Sequence, residues 1–307
     1  MTEKSVIVLF LDGVGLGDSN PEANPFMHVN MQAAQQLLGV QHLTHEAAGA
    51  TNGSAALLAV DASMGVAGMP QSGTGQTAIL TGQNAPALLG EHLGPYPDQT
   101  LRNLLEQESI FKTLLDAGQP VAYANAYPDR FLDRVKRGKG RLSANTTAAY
   151  KAGLKLRGSK DLQQGRALSA LFSNDFWPES DVELPPLSAY QAGQQLVSLA
   201  NDHTLTFFEF WYSDVLGHKM RREESLKILG MLDDFLAGIL ATIDSQRTLL
   251  LVISDHGNFE DWTTKKHTAN PALGILAGQG VDILAPQLQT LADVKPMLLS
   301  YLNLPGS

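Results

Sequence analysis

Residues 249–258, Leu-Leu-Leu-Val-Ile-Ser-Asp-His-Gly-Asn, contain the segment that decides the fold. The apolar run 249–254 predicts a strand buried on both faces, as in a parallel sheet covered by helices. In a continuing strand Asp255 and His256 would point to opposite faces, but Gly257 predicts that the strand ends there. Both side chains can then converge at the carboxyl end of the strand. Two polar side chains buried there without partners would be costly, so the segment favours a functional site.

The rest of the chain alternates short apolar runs with helical patterns. This alternation is typical of a doubly wound α/β fold, a mainly parallel sheet with helices on both faces. In such a sheet, ligands bind beyond the carboxyl ends of the strands, where the polar motifs of this chain follow the apolar runs. The predicted strands are 6–11, 121–126, 204–211, 249–254 and 273–277, and the predicted helices are 101–117, 187–200, 223–243 and 290–302.

One segment interrupts this alternation. Residues 128–186 contain a basic run, Arg-Val-Lys-Arg-Gly-Lys-Gly-Arg at 134–141, together with several glycines, serines and prolines. We interpret 128–186 as an inserted, cap-like segment over the active face, and 1–127 with 187–307 as a metal-binding α/β core. A chain of 307 residues is long enough for one large α/β domain with such an insertion.

The composition argues against several classes of function. The chain has 22 Lys and Arg against 31 Asp and Glu, a net charge of −9, which argues against nucleic acid or an anionic membrane as a partner. A small anionic substrate stays compatible, because a few local cations or metal ions can outweigh the overall charge. The absence of cysteine excludes disulfides, thiolate zinc sites and a cysteine nucleophile. The N-terminus shows neither a signal-peptide pattern nor a span-length apolar run, which predicts a cytoplasmic protein.

Asp12 follows the first predicted strand and precedes Gly13, Gly15 and Gly17. Its carboxylate therefore lies where another part of the backbone can approach closely. A carboxylate that only caps a turn is the simplest alternative. A dinucleotide-binding turn is disfavoured, because the glycine spacing differs from G-x-G-x-x-G and no helix is expected directly after it.

Residues 69–82, Met-Pro-Gln-Ser-Gly-Thr-Gly-Gln-Thr-Ala-Ile-Leu-Thr-Gly, form a second polar motif. Its glycines predict a tight turn before a helix that starts within 76–80, whose N-terminal amides favour an anion. The hydroxyl of Ser72 or Thr74 can act as a nucleophile once a base or a metal ion removes its proton. Helix capping by either hydroxyl is the alternative. A serine hydrolase is disfavoured because no G-x-S-x-G elbow is present.

Histidine and aspartate recur in two further motifs. Asp214 and His218 stand four residues apart, so that on one helical turn they share a face and can bind one ion. His267 lies in a polar loop at 266–271, where a surface histidine is the simpler interpretation of that residue alone. Across all motifs, three Asp, three His and a hydroxyl fall at predicted strand ends or in adjoining loops. They suffice for two divalent cations with mixed oxygen and nitrogen ligands, for which Mn²⁺ and Zn²⁺ are both suitable.

Five motifs follow one another along the chain: Asp12-Gly, Ser72-x-Thr-Gly…Thr-Gly82, Asp214-x-x-Gly-His218, Asp255-His256-Gly-Asn and His267-Thr-x-Asn-Pro. This ordered series resembles the alkaline phosphatase superfamily, and within it most closely the cofactor-independent phosphoglycerate mutases and the phosphopentomutases. The resemblance covers the whole chain except the insertion. Those mutases carry a much larger insertion with substrate-binding arginines, so this chain departs from them in its cap.

The resemblance also implies roles for individual residues. Ser72 is implied as the nucleophile, since it lies ten residues before Gly82, the offset typical of the superfamily, and Thr74 is the second choice. One metal ion would be held by Asp214, His218 and His267, and the other by Asp12, Asp255 and His256.

The implied activity is metal-dependent phosphoryl transfer, with two divalent metal ions as cofactors and a small phosphorylated substrate. The first expectation is hydrolysis of a small phosphate ester through a phosphorylated Ser72, or of a phosphodiester by a related route. The alternatives are an intramolecular phosphomutase acting on a sugar or glycerate phosphate, and a metal- or nucleotide-binding protein without catalysis. A sulfatase is disfavoured, because its C/S-x-P-x-R signature is absent.

Basic residues near these motifs are candidates for binding the substrate anion. They are interpreted either as parts of a mobile cap that binds an anion or as residues of solvated loops. The candidates are Arg130, Arg134, Arg137 and Lys219, with Lys136 and Arg141 beside them.

Overall fold

The computed structural model describes residues 4–177 and 182–305, and within them the chain forms one six-stranded sheet. The order of the strands is β2-β6-β5-β1-β4-β3. Strands β5, β1, β4 and β3 are parallel to one another, whereas β6 runs antiparallel to both β5 and β2. The predicted mainly parallel α/β sheet is therefore confirmed. The strands are β1 Ser5–Leu11, β2 Ala55–Val60, β3 Val121–Tyr123, β4 Leu205–Phe210, β5 Thr248–Ser254 and β6 Ala272–Ala277.

Helices cover both faces of the sheet, because successive strand side chains point to opposite faces and both faces are apolar. In β4, Phe207 packs into the core that also includes α2, α4, α5, α7 and α13, and Phe208 packs with α1, α9 and α11. The helices are α1 Gln32–Leu38, α2 Ser72–Thr81, α3 Ala85–Leu89, α4 Gln99–Glu108, α5 Ile110–Asp116, α6 Asp129–Lys136, α7 Ala144–Lys151, α8 Ser159–Gln163, α9 Ala189–Ala200, α10 Tyr212–Lys219, α11 Arg222–Leu240, α12 Val281–Leu284 and α13 Val294–Tyr301.

Several elements differ from the sequence-based expectation. Strand β3 ends at Tyr123, whereas the predicted strand extends to residue 126. Strand β2 was not predicted, because its Ala-Ala-Leu-Leu-Ala-Val sequence contains little of the β-branched and aromatic content typical of strands. The helix predicted at 101–117 is divided into α4 and α5 at Ser109. The hydroxyl of Ser109 accepts a hydrogen bond from the backbone N–H of Lys112 (3.3 Å) and so caps the second helix. The segment predicted as a helix at 290–302 begins with a 3₁₀ turn before α13.

The segment 128–186 contains α6, α7 and α8, and its residues 178–181 lie outside the described part of the chain. Helix α7 packs against α2 and α4 on one face of the sheet. Its Asn145 donates a hydrogen bond to the buried carboxyl of Glu209 in β4 (3.2 Å), whose pKa is raised by burial. These contacts connect the segment to the sheet, and its role as a cap stays a prediction.

Among the described residues, no helix is both long enough and apolar enough to cross a membrane.

Helices α9 and α11 touch through their backbones at Gly193 and Gly238. A Cβ atom at Gly193 would overlap the carbonyl oxygen of Phe235, and one at Gly238 would overlap that of Tyr190. Gly230, also in α11, has no atom within 4 Å of the position that its Cβ would take. We expect Gly193→Ala to lower the free energy of unfolding by about 2–3 kcal/mol, because the helices must separate.

The matched control is Gly230→Ala, which should be neutral or stabilising by up to about 1 kcal/mol, since alanine is the better helix former. Urea denaturation of both variants measures the two effects. Equal stabilities for the two variants would contradict the close packing of α9 on α11.

Candidate metal centre

The ends of the three central strands form the frame of the site. Leu11 at the end of β1 pairs with Phe210 of β4 on one side and with Ser254 of β5 on the other. The three strands therefore end level with one another. Asp12 and Asp255 are the residues directly after β1 and β5, so their side chains begin at the same edge of the sheet.

Two further segments bring ligand candidates to this edge. Asp214 lies in the first turn of α10, where the side-chain amide of Asn258 donates to its Oδ1 (2.7 Å) and to its carbonyl oxygen (3.2 Å). Because β6 is antiparallel to β5, the loop 255–271 that connects them starts and ends at the edge of the sheet that carries Asp12 and Asp255. His267 lies on that loop.

Asp214, His218 and His267 form one cluster, in which one potential ligand atom from each lies within 4.8 Å of the others. The Nε2 atom of His218 is 3.4 Å from Asp214 Oδ2, and that of His267 is 3.5 Å from Asp214 Oδ1. The two Nε2 atoms are 3.2 Å apart.

The hydrogen bonds around the two imidazoles show that this cluster fits a cation. Nδ1 of His218 lies 2.6 Å from the carbonyl oxygen of Lys265, and Nδ1 of His267 lies 2.8 Å from that of Pro70. Each Nδ1 must donate to its carbonyl, which leaves the lone pair of each neutral ring on Nε2. Two lone pairs cannot bond to each other, so a cation between them and the carboxylate satisfies all three groups.

The pKa values of His267 and Asp214 favour their ligand forms. Burial, followed by the positive charge of His256, lowers the pKa of His267 to about 4, so its ring is neutral at pH 7. Burial opposes ionisation of Asp214, but its contact with His218 and the charge of His256 outweigh burial and lower its pKa to about 2. The pKa of His218 is instead raised, because its protonated ring donates a hydrogen bond to Asp214, and a metal ion would have to displace that proton.

Asp12, Asp214 and His256 form a second cluster, again within 4.8 Å. Asp12 Oδ1 is buried and accepts no hydrogen bond, and it lies 3.4 Å from His256 Nε2. Asp214 therefore belongs to both clusters and lies between them. The resemblance implied Asp255 in this set in place of Asp214.

Asp255 is fully buried beside the second cluster. Its Oδ1 accepts from the backbone N–H of Gly13 (3.1 Å) and lies 3.7 Å from His256 Nε2. Its Oδ2 accepts from Gln76, whose side-chain amide also donates to Asp12 Oδ2 at 3.3 Å. Gln76 thus holds the two carboxylates side by side, a role that no sequence pattern indicated. The place of Asp255 among the ligands stays a prediction.

The buried carboxyl groups in and beside this cluster are stabilised in their ionised forms by nearby positive charge. Burial and the charge of Asp255 raise the pKa of Asp12 well above its ordinary value, and burial also raises that of Asp255. Burial opposes protonation of His256, but Asp255 and Asp12 outweigh it and raise the pKa of the imidazole to about 10. A divalent cation can replace this proton and neutralise more of the carboxylate charge, so the second cluster also fits a metal ion.

Ser72 and Thr74 have different surroundings, although both are buried. The Oγ atom of Ser72 lies 3.0 Å from Nε2 of His256, at the edge of the second cluster. The hydroxyl of Thr74 instead donates to the carbonyl oxygen of Gln71 (3.1 Å) and accepts from the backbone N–H of Leu93 (3.3 Å). Thr74 is thus engaged in holding two loops together, and the structure brings only Ser72 to the cluster.

Gly73 and Gly75 are part of α2, which begins at Ser72, so the predicted tight turn before a helix at 76–80 is wrong. Both glycines are required by close contacts. A Cβ at Gly73 would lie 2.6 Å from the carbonyl oxygen of Leu93, and one at Gly75 would lie 2.8 Å from that of Asp255. Glycine at 75 therefore lets the Ser72 helix approach the strand end that carries Asp255.

Glu260 connects the loops that carry the ligand candidates, and sequence reasoning missed it. It is 1% exposed. Its Oε2 accepts from the backbone N–H groups of Gly15 and Asn258 (2.8 Å each). Its Oε1 accepts from the hydroxyl of Thr268 and from the side-chain amide of Asn270. One carboxylate thus joins the loop after β1 to both ends of the loop 255–271. The only sequence signal was an acidic residue two positions after Asn258.

The chain matches a model of the metalloenzyme superfamily over residues 4–306. The chain belongs to the metalloenzyme superfamily. Members of this superfamily bind divalent metal ions, which agrees with the two ligand clusters.

Individual relatives support the predicted relationship to the alkaline phosphatase superfamily, which is confirmed. The chain is 27% identical over 132 residues to the 2,3-bisphosphoglycerate-independent phosphoglycerate mutase of Mycoplasmopsis synoviae, covering 41% of this chain and 26% of the mutase. It is 29% identical over 133 residues to that of Antithamnion sp., covering 40% of this chain and 26% of that mutase. The matched part is therefore about a quarter of the length of these mutases.

Two solved structures share the whole fold of this metalloenzyme. The PH0037 protein from Pyrococcus horikoshii has a TM-score of 0.62 at 12% identity, covering 100% of this chain and 99% of that chain. The cold-active alkaline phosphatase from Shewanella sp. has a TM-score of 0.54 at 12% identity, covering 98% of this chain and 100% of that chain.

The predicted anion-binding cations of this metalloenzyme lie on its surface. All four are exposed. Within residues 4–177 and 182–305, no hydrogen bond or ion pair joins their side chains to the ligand clusters. Their role in binding the substrate anion stays a prediction. These residues are Arg130, Arg134, Arg137 and Lys219.

Replacing Glu260 by Gln should destabilise the metal centre. All four partners of the carboxylate are donors, so either orientation of the amide sets its NH₂ group against at least two of them. We expect a loss of about 2–4 kcal/mol in the free energy of unfolding, measured by urea denaturation, together with weaker Mn²⁺ binding. The exposed Glu223 provides the matched control, and a Glu260→Gln variant as stable as Glu223→Gln would contradict this role.

Metal binding should release protons. Since the pKa of His256 is raised to about 10, its ring is protonated at pH 7.5 without a cation and must lose that proton to become a ligand. The apparent Mn²⁺ affinity should therefore rise as the pH increases from 6 to 9. Calorimetry at pH 7.5 in buffers of different ionisation enthalpy should show release of protons, at least the one on His256. His203→Gln, a substitution outside the centre, should leave the number of released protons unchanged. An Mn²⁺ affinity that does not depend on pH would contradict the role of His256 as a metal ligand.

Proposed function

We propose that this metalloenzyme catalyses metal-dependent phosphoryl transfer, and that the reaction is hydrolysis of a small phosphate ester through a phosphorylated Ser72. The observation that carries the proposal is the position of the Ser72 hydroxyl, 3.0 Å from His256 Nε2 at the edge of two adjoining ligand clusters. Nucleophile, ligands and substrate space then meet at the carboxyl edge of the sheet, where α/β folds bind ligands.

Divalent cations held by the two clusters supply positive charge that polarises the phosphoryl group and favours ionisation of a neighbouring hydroxyl. For the first cluster we propose Asp214, His218 and His267 as ligands. For the second we propose Asp12, Asp255 and His256, with Asp214 between the two sets. Mixed carboxylate and imidazole ligands suit Mn²⁺ and Zn²⁺, which we propose as the cofactors.

The chain itself positions the nucleophile and the phosphoryl group. Ser72 is the first residue of α2, and the N-terminus of a helix favours a bound anion. The Gly75 contact with the strand end fixes the distance between α2 and Asp255. These constraints orient the Ser72 hydroxyl before substrate arrives, which reduces the entropy cost of the reaction.

The reaction proceeds in two steps. The Ser72 oxygen loses its proton and forms a bond to phosphorus while the bond from phosphorus to the ester oxygen breaks, and the leaving alkoxide takes up a proton to depart as the alcohol. Water then attacks the phosphorus of the phosphoserine and the bond from phosphorus to the Ser72 oxygen breaks. Inorganic phosphate is released, and a proton from the attacking water restores the Ser72 hydroxyl. Electrostatic stabilisation of the charge on the phosphoryl oxygens provides most of the catalysis in such transfers.

A phosphomutase is the second candidate, and the sequence match to phosphoglycerate mutases favours it. In that reaction a second hydroxyl of the sugar or glycerate phosphate, in place of water, accepts the group from Ser72. Isomerised phosphate ester without release of inorganic phosphate would distinguish it from hydrolysis. A protein that binds metal or a nucleotide without catalysis would give neither product. The cytoplasmic location stays a prediction from the sequence.

Ser72→Ala should abolish release of p-nitrophenol from p-nitrophenyl phosphate. The protein is stripped of metal and reloaded with Mn²⁺ or Zn²⁺, and we expect turnover to fall roughly a thousandfold or more while metal binding persists, because the nucleophile is removed.

Thr74→Val is the comparison variant, because its hydroxyl contacts only the backbone of Gln71 and Leu93. It should retain turnover while losing some stability. Full turnover in Ser72→Ala would contradict the phosphoserine route, and its loss in Thr74→Val alone would move the nucleophile to Thr74.

A further inference from the structure

A cavity of about 360 Å³ lies between the core and the segment 128–186. Its wall on the core side includes Tyr96 and Arg102, and its wall on the other side includes Arg141, Tyr150 and Lys151. Among the described residues, no carboxylate lines it. In a chain with a net charge of −9, an open cavity bordered by three cations and no acid favours an anion.

The cavity adjoins the first turn of α2, which carries Ser72. The loop 93–96 packs directly on this turn: Leu93 accepts a hydrogen bond from the backbone N–H of Thr74 (2.9 Å). A Cβ at Gly73 would lie 3.1 Å from the carbonyl oxygen of Tyr96. The residue that forms part of the cavity wall is therefore in contact with the residue next to the nucleophile.

Arg141 is the cation in this cavity that is best placed to bind a ligand. Its guanidinium lies 6.0 Å from the ring centroid of Tyr96, and it has no carboxylate partner among residues 4–177 and 182–305. Lys151 is paired with Glu106 (2.9 Å). Arg102 donates to the carbonyl oxygen of Pro97 (2.8 Å) and to the side-chain oxygen of Gln99 (3.2 Å), neither of which neutralises its charge.

The backbone on both sides of Arg141 is ordered by hydrogen bonds. A turn after α6 is closed by bonds from the N–H of Gly138 to Val135 and from the N–H of Lys139 to Arg134, each 2.9 Å. Two residues after Arg141, the Ser143 hydroxyl accepts from the N–H of Thr146 (3.2 Å) and caps α7. The backbone position of Arg141 is therefore set before a ligand binds, which lowers the entropy cost of binding.

We propose that this cavity is a subsite for a second anionic group of the substrate, a carboxylate or phosphate on the part beyond the ester, and that Arg141 determines specificity for it. The proposal rests on the proposed function, because Ser72 would hold the phosphoryl group that reacts. A guanidinium binds a carboxylate or phosphate through two parallel hydrogen bonds. The ring of Tyr96, 6.0 Å from the guanidinium, adds a cation–π attraction that holds Arg141 at the cavity. Arg134 and Arg137, which the sequence predicted for this role, do not line the cavity.

The test measures binding to the Mn²⁺-loaded protein without requiring turnover. The probes are phosphonoacetate, 3-phosphonopropionate, 4-phosphonobutyrate and 5-phosphonopentanoate, each compared by calorimetry with the n-alkylphosphonate of equal chain length. The series covers the unknown span between the two anions. We expect at least one dianionic probe to bind roughly tenfold or more tightly than its neutral-tailed counterpart, the gain of one charge-assisted hydrogen-bond pair.

Arg141→Gln should remove this preference, and Arg141→Lys should restore part of it. The matched control is Arg134→Gln, an exposed arginine of the same segment that does not line the cavity, and it should keep the full preference. A preference that survives in Arg141→Gln, or its absence throughout the series for the unmodified protein, would overturn the proposal. Failure of the proposed Ser72 mechanism would instead appear as full turnover in Ser72→Ala. The experiments therefore distinguish failure of the anion subsite from failure of the phosphoserine route.

Discussion

The mutual register of β5, β1 and β4 is the constraint on which the metal centre depends. Since Leu11 pairs with both Phe210 and Ser254, the three strands end together, and the residues that follow are forced into one small region. A shift of one residue in either pairing would displace a carboxylate along the strand by about 3.3 Å. Sheet pairing thus sets the positions of Asp12 and Asp255, whereas α10 and the loop 255–271 place Asp214, His218 and His267.

This crowding of acidic groups is unfavourable until it is compensated. Burial and mutual repulsion raise the pKa values of Asp12 and Asp255, and the chain responds with a proton on His256 and amide donors from Gln76 and Asn258. The carboxylate of Glu260 instead accepts hydrogen bonds from four donors, so it connects the loops without requiring a cation. The distinction separates a carboxylate that stabilises the fold from carboxylates that are available to a metal ion.

Sequence reasoning succeeded where a local pattern carried the information. Apolar runs that end in Asp or His predicted the central strands and the edge at which Asp214, His218 and His267 meet. The sequence did not predict features that arise from tertiary contacts. The alanine-rich β2 is a strand because β6 pairs with it, and Gly73 and Gly75 are helical because other backbones approach them. The shared position of Asp214 and the four donors around Glu260 depend on loops distant in sequence. The basic run at 134–141 was noticed, but only the packing of the segment shows which arginine faces a cavity.

The reversed direction of β6 also bears on the order in which the centre can assemble. Because β5 and β6 are neighbours both in sequence and in the sheet, closing the single loop 255–271 brings Asp255, His256 and His267 to one edge. Asp12 and Asp214 join them only after β1 has inserted between β5 and β4, through contacts that span most of the chain. Contacts of short sequence separation form faster than distant ones. Half of the ligand set therefore belongs to a local folding unit, and the complete centre exists only once the slowest, most distant strand pairing is in place.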